Sequence, residues 1–521
     1  MSLHDEPARD AKPDLGSRRL VKNTGLNLLG IVVPALIGLV TVPVVIRWLG
    51  TDRFGLFSII LTVFGYFALF DLGLGRASIK FSAEAMGRGA MEDLPRIIRT
   101  TVGLQTVFGL AGMVLMIVLT PLLAERILKI PAANLAEAKG ALMIMALSLP
   151  FAIVTPSIRG VLEAGQRFEL VNAVKIPTNA LIYVLPLIGA PLGMGLRGIV
   201  LLLTASRVVT LFIWIGLAFR VYPVLARKEG FLPRHRLRKL FSFGGWNALS
   251  SFVWFFLVSA DRFVLGTLRG MTAVGYYAAP AEATGRMNML PGSLALTLFP
   301  AFSALEGGGD AERSKRLFTR SLKFTLILLG PPAAGLIALA GFILRIWLGP
   351  EFALQSRLVL QILSLGFLIS ALAYVPYSYL QGLGRADLPT KFQLIETAVF
   401  IPLLWFGVLR FGINGAAAAC TIRVLLDLGL LIEASLRVGK IPLRALAETG
   451  IFRIGLILAV FTAALFGAKR LPAAPLWIVL ASALYVLWAW RRALTPEERD
   501  GWTGLARRFF RGKAAGEAAG S

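Results

Sequence analysis

The chain is 521 residues long, 56% hydrophobic and formally +25 at pH 7, with a mean hydropathy of +0.74. No soluble domain of this size would carry so much apolar surface, so the composition excludes a soluble enzyme or binding module and points to a polytopic membrane protein. The single cysteine, Cys420, rules out an intramolecular disulfide, and the two histidines, His4 and His235, lie in polar basic segments where they form no metal-ligand cluster.

A helix needs about 20 apolar residues to cross about 30 Å of hydrocarbon. Runs near that length occur at 24–46, 55–75, 100–123, 140–158, 171–192, 196–219, 240–260, 274–299, 321–345, 358–380, 392–409, 413–435, 450–468 and 475–490. They are continuous rather than alternating, which predicts an all-α protein of about 14 transmembrane helices and not a barrel. The first run is longer than a signal-peptide core and lacks a small-residue cleavage site, so it is read as the first span.

Pro34 and Pro43 interrupt the first span, and the second ends in Asp71-Leu72-Gly73-Leu74-Gly75-Arg76. Prolines free carbonyls that water or a substrate can satisfy, so these two spans are expected to wall a cavity. The third and fourth read as scaffold. Turns at 160–167 and 382–387 look equivalent, as do those at 195–198 and 412–415, glycine giving the tight reversal in each. Between the sixth and seventh spans the chain is basic and broken by Pro223 and Pro233. This stretch is the seam of a duplication: Asn27 recurs as Asn247, Leu49-Gly50 as Leu265-Gly266, Gly165 as Gly384, Gly198 as Gly415 and Arg207-Val208 as Arg423-Val424, each at a shift of about 220 residues.

The expected organisation is a tail at 1–22, an N-lobe at 23–219, a linker at 220–239, a C-lobe at 240–436, two further helices at 437–492 and a basic tail at 493–521. Six spans per lobe is an even number, so both lobes enter the membrane in the same sense and a substrate site is expected between them. Trp502, Leu505, Phe509 and Phe510 fit a short amphipathic helix on the inner leaflet.

Lysines and arginines concentrate in both tails and in alternate connections, which places both termini in the cytoplasm of a bacterial inner membrane. Nucleic acid therefore drops out as a partner. The basic belt would instead attract anionic headgroups, at about 1 kcal/mol per residue near the surface. The opposite loops are short, which disfavours a membrane glycan polymerase or ligase, and no Walker A pattern or cofactor motif is present.

An ionised side chain at the bilayer centre costs about 2.5–3.5 kcal/mol by insertion scales, so each needs a partner or a function. The candidates are Asp71, Arg76, Arg207, Asp261, Arg262, Glu282, Arg286, Glu396, Arg423 and Asp427. Glu282 with Arg286, and Arg423 with Asp427, stand at i, i+4; the second is read as a structural ion pair. Guanidinium forks match phosphate oxygens, which makes Arg286, helped by Arg76 and Arg262, the expected anchor of a lipid-linked diphosphate. Asn247 and Tyr276 are expected on the sugars. Asp71, Glu396 and Glu282 are the candidates for ion coupling.

These features resemble the polysaccharide-export flippases, the Wzx-type O-antigen and exopolysaccharide repeat-unit translocases of the multidrug/oligosaccharidyl-lipid/polysaccharide superfamily. The resemblance covers about residues 20 to 440. It rests on Asn23-Thr24 to Asn27, Trp48-Leu49-Gly50 to Phe54-Gly55-Leu56, Asp71-Leu72-Gly73-Leu74-Gly75, Asp261-Arg262-Phe263-Val264-Leu265-Gly266, Val274-Gly275-Tyr276-Tyr277 and Leu298-Phe299-Pro300. It implies two six-helix lobes around a cationic cavity and movement of an undecaprenyl-diphosphate-linked oligosaccharide by alternating access. A polymerase and a chain-length regulator of polysaccharide assembly would be partners. A lipid II flippase shares the span number and cationic cavity, whereas a multidrug extruder usually has twelve spans and an acidic cavity.

Overall fold

The computed structural model describes residues 34, 36–68, 71–227, 229–233, 256–385, 387–468, 474–496 and 499. Asn247, His235, the Asn23 to Asn27 motif and the amphipathic segment from Trp502 lie outside them. Every regular element among the described residues is helical. The helices of the first half are α1 (Leu36–Leu49), α2 (Thr51–Ala68), α3 (Leu74–Gly87), α4 (Asp93–Pro121), α5 (Ala132–Leu147), α6 (Leu149–Ala164), α7 (Phe168–Gly189) and α8 (Gly195–Val221). They are followed by α9 (256–269), α10 (Met271–Met287), α11 (Met289–Gly307), α12 (Ala311–Trp347), α13 (Pro350–Gln355), α14 (Arg357–Gly382) and α15 (Asp387–Val438). Finally come α16 (Leu443–Glu448), α17 (Ile451–Ala468) and α18 (Ala474–Trp488).

Nine helical stretches among the described residues are long and apolar enough to cross a membrane. One of them, α15, is two legs joined at Gly412, whose φ of 56° and ψ of −132° reverse the chain. With α1, α2, α18 and the segment at 240–260, most of which lies outside the described residues, the architecture is consistent with the fourteen spans expected. Apolar side chains such as Val118, Phe212, Leu328, Phe342 and Val460 are exposed, as lipid-facing residues must be.

The expected second span is shorter than its apolar run. It stops at Ala68, and Asp71, Leu72 and Gly73 form a turn before α3 begins. Leu72 and Gly73 both take positive φ, 49° and 71°, which continuing a helix would forbid. The fourth span is likewise broken, at Ser148 between α5 and α6, where Pro150 cannot donate to the preceding turn.

The chain divides into two compact units, Met1–Met289 with Gln393–Cys420, and Leu290–Phe392 with Thr421–Ser521. In the first, Leu74, Leu94, Val161, Leu162 and Trp214 form a core shared by α3, α4, α6 and α8. In the second, Tyr379 stacks edge-on against Phe302 at 5.0 Å and lies 4.8 Å from Phe318.

The duplication is legible in the first unit as a crossing of α2 with α10. Gly50 and Gly270 take nearly the same positive φ, 80° and 82°, immediately before these helices. Gly270, rather than Gly266, is thus the counterpart of Gly50. One turn into each helix a glycine meets the other's first residue: a Cβ on Gly55 would lie 3.0 Å from the Met271 carbonyl carbon, and one on Gly275 would lie 2.7 Å from Thr51 Cγ2. The Thr272 hydroxyl donates to Asp52 across the same crossing.

Arg269, at the end of α9, donates from Nε to the Val408 carbonyl at 3.1 Å and from Nη2 to the Leu409 carbonyl at 2.5 Å. These are orphan acceptors at the end of the first α15 leg, where a cation also answers the helix dipole. Arg269→Ala is expected to cost about 1–2 kcal/mol, seen as a lower melting temperature of the detergent-solubilised protein. An unchanged melt would mean that the carbonyls are satisfied without it.

Candidate functional site

Three of the sequence-predicted residues meet in the first unit. Because α9 and α10 are joined only by Gly270, Arg262 on one can reach the Glu282 and Arg286 face of the other. Arg286 Nη2 donates to Glu282 Oε1 at 2.8 Å, and Arg262 Nη2 to Glu282 Oε2 at 3.4 Å. The two guanidinium groups thus share one carboxylate.

Aromatic and backbone groups hold this arrangement. Tyr183, on α7, donates its hydroxyl to Glu282 Oε1 at 3.2 Å, while the Arg286 guanidinium lies 4.4 Å from the Tyr183 ring centroid. Arg286 Nη1 also donates to the Pro34 carbonyl at 3.3 Å. It can do so because Gly38 has no side chain: a Cβ there would sit 2.8 Å from Arg286 Cζ. Arg286 is therefore locked on three sides. Arg262 is less so, its buried Nε having no hydrogen-bond partner among the described residues.

Glu282 is the accessible member, with 37% of its side chain exposed against 15% for Arg286 and 21% for Arg262. A second acid lies beside the cluster. Asp261 accepts from its neighbour's backbone, Arg262 N, at 2.7 Å and from the Tyr277 hydroxyl at 2.6 Å, with Cys420 Sγ 3.7 Å away. Two arginines and two acids leave the group formally neutral, so an anion entering it must displace a carboxylate rather than fill an unmatched positive site.

The remaining candidates lie elsewhere. Asp71 accepts from the Gly75 backbone at 3.1 and 3.2 Å and from the Gln105 amide, pinning the turn that opens α3. Arg76 follows on α3 with an exposed side chain, near enough to act on Asp71 through its charge. Tyr276 is buried on α10, and Glu396 is buried on the first leg of α15. Arg423 and Asp427 lie half-buried on the second leg, where Asp427 is near Tyr374 and Tyr377. Among the described residues no group of three or more His, Cys, Asp or Glu side chains could hold a metal.

Sequence reasoning did not single out Tyr183, Gln105 or Gly38, since each acts through a contact far away in the chain. Arg207 is a related case. It lies 3.6 Å from the Phe64 ring centroid and donates to Ser148 Oγ at 2.8 Å, with no carboxylate beside it among the described residues.

A family model described as "Polysaccharide biosynthesis protein" matches residues 20–306. The chain is 28% identical over 412 residues to the "Putative O-antigen transporter" of Shigella flexneri, covering 79% of this chain and 96% of that one. It is 25% identical over 404 residues to the "Succinoglycan biosynthesis transport protein ExoT" of Rhizobium meliloti, covering 76% of each. Among solved structures it resembles a lipid II flippase MurJ in an inward closed conformation, with a TM-score of 0.71 at 15% identity, covering 90% of this chain and 98% of that one. An inward-facing multidrug resistance transporter of the MATE family has a TM-score of 0.64 at 15% identity, covering 82% and 96%. At these identities the structural likenesses speak for the fold.

Proposed function

Because the chain belongs to the polysaccharide biosynthesis protein family, we propose that it is a flippase that carries polyprenyl-diphosphate-linked oligosaccharide repeat units across the bacterial inner membrane by alternating access. The names of its relatives, an O-antigen transporter and a succinoglycan transport protein, support this cargo class. The product would feed a surface or secreted polysaccharide, in company with a polymerase and a chain-length regulator. Both termini face the cytoplasm in this reading, and the chain performs no covalent chemistry on its cargo.

The observation that carries the proposal is the shared carboxylate of Glu282. A diphosphate offers more charge and more acceptor oxygens than one carboxylate, so it can replace Glu282 between Arg262 and Arg286 and engage their forks bidentately. The polyprenyl tail remains in lipid throughout. Released from its arginines, Glu282 becomes free to take up a proton, which would couple binding to cation exchange; Asp71 and Glu396 are the other candidates for that exchange. Each charge crossing the membrane field contributes about 2.3 kcal/mol per 100 mV, enough to bias such a cycle without ATP. Arg76 stays a candidate for guiding the headgroup, and Asn247 and Tyr276 for the sugars.

Deleting the gene tests the cargo. Undecaprenyl-linked repeat units are expected to accumulate on the cytoplasmic leaflet while surface glycan is lost. Intact surface glycan without accumulation would remove the flippase reading.

A further inference from the structure

Asp71 stands at one end of a buried polar seam that the transport reading leaves unused. On α3, Gly75, Ser78, Ile79 and Ser82 share one face, at the spacing that brings helical residues into line. That face lies against α6. A Cβ on Gly75 would sit 2.7 Å from Pro156 Cβ, and one on Gly160 would sit 2.7 Å from Ile79 Cγ1. The two helices therefore run parallel in a fixed register, which sets Ser157 beside Ser78 and brings Ser82 level with the Glu163 turn of α6.

Ser78, Ser82 and Ser157 are all 0% exposed, and their hydroxyl oxygens have no hydrogen-bond partner among the described residues. A serine in a helix can ordinarily turn its hydroxyl onto the carbonyl one turn back, as Thr101 does on α4. These three do not. An independent group on a third helix points the same way. Gln105 is also 0% exposed; its amide nitrogen is spent on Asp71 and its carbonyl oxygen Oε1 is unpartnered. A buried polar atom without a partner costs free energy that bound water would recover, and several such atoms in one seam supply the two to four contacts a buried water requires.

The far end of the seam reaches solvent. Glu163 pairs with Arg159 at 2.8 Å, their side chains 19% and 26% exposed, and Lys175 from α7 lies near both. Around Asp71 the facing groups are Arg76 and the Gly75 amide from α3, Gln105 from α4 and the apolar Pro156 from α6.

We propose that the α3–α6 seam holds a file of bound water that carries protons between the aqueous end at Glu163 and the carboxylate of Asp71. This inference rests on the reading of Asp71 as a coupling group. At each step one O–H bond breaks on the donor and one forms on the next oxygen, so the net change is a proton taken from water and held by Asp71. The protonated carboxyl is a poorer acceptor for the Gly75 amide, which loosens the turn at Leu72 and Gly73, both held at positive φ. The arriving proton thereby acts on the break between α2 and α3.

The experiment uses the full-length protein in lipid bilayers, with deuterium as the probe. The infrared band of protonated Asp71 is identified as the carboxyl band missing from Asp71→Asn. Its rate of shift after exchange from H2O into D2O is then measured in the wild type and in the triple variant Ser78→Ala, Ser82→Ala, Ser157→Ala. The triple variant is expected to exchange about tenfold more slowly, the effect on a rate of losing one ordinary hydrogen bond. It should melt no lower than the wild type, since alanine removes unpartnered hydroxyls from a buried site. The single variant Ser82→Ala serves where the triple does not assemble, with the same direction expected. Unchanged exchange in the serine variants, with an Asp71 band present, overturns the seam and leaves Asp71 as a coupling group. Absence of any Asp71 band at every pH overturns both.

Discussion

Arg286→Ala is expected to abolish export of the lipid-linked glycan while the protein still reaches the membrane. The guanidinium group does four things at once: it pairs with Glu282, stacks on Tyr183, donates to the Pro34 carbonyl and fills the space above Gly38. If a diphosphate takes the place of Glu282, the loss is a charge-assisted, two-pronged contact, worth about 2–3 kcal/mol and hence about 30- to 150-fold in affinity. Lysine restores the charge but offers a single point donor with no plane to lay on the tyrosine, so Arg286→Lys should recover only a small part of the flux. Glu282→Gln discriminates further. It removes the competing carboxylate, so the cargo should bind about tenfold more tightly, while transport slows because nothing displaces the product or accepts a proton. Export that is normal in Arg286→Ala would rule that arginine out as the anchor. Affinity and flux both unchanged in Glu282→Gln would rule out exchange between carboxylate and diphosphate.

Hydropathy and charge made the α-helical class readable from the chain, because the thickness of hydrocarbon and the cost of a buried charge act on the sequence directly. The i, i+4 spacing of Glu282 and Arg286 likewise predicts their contact, which the structure shows at 2.8 Å. Arg262 joining the same carboxylate depended on a turn at Gly270, and Tyr183 on how α7 packs; neither has a local signature. The break after Ala68 was hidden by its own composition. Asp71-Leu72-Gly73-Leu74-Gly75 sits in an apolar run and reads as a span end, but a leucine at a φ of 49° is a tertiary choice held in place by the Asp71 carboxylate and Gln105. Arg207 similarly carries no sign in the sequence of its stacking on Phe64.

The duplication carries the second large prediction. Gly55 and Gly275 belong to two of the motifs on which the family resemblance rests, Phe54-Gly55-Leu56 and Val274-Gly275-Tyr276. Their shared shift of about 220 residues matches that of Asn27 and Asn247. In the structure each is the point where one half's helix touches the backbone of the other half's helix at its first residue. Membrane helices gain little from excluding lipid, so close backbone approach over small residues is a main source of their attraction, and a methyl group at such a point forces the axes apart. Gly275→Ala would press its Cβ onto the Thr51 carbonyl and to 2.7 Å from Thr51 Cγ2, where backbone cannot yield as a flexible side chain would. The expected loss is at least about 3 kcal/mol, with the melt of the solubilised protein falling accordingly and little of it reaching the membrane. Gly55→Ala should do the same against Met271. Because both substitutions open one crossing, the double variant should cost less than the two together. Gly285→Ala, on the same α10 helix with nothing within 4 Å of its new methyl, is the control and should gain about 0.5–1 kcal/mol. Equal melting temperatures for Gly275→Ala and Gly285→Ala would mean that the α2 and α10 crossing does not hold the two halves together.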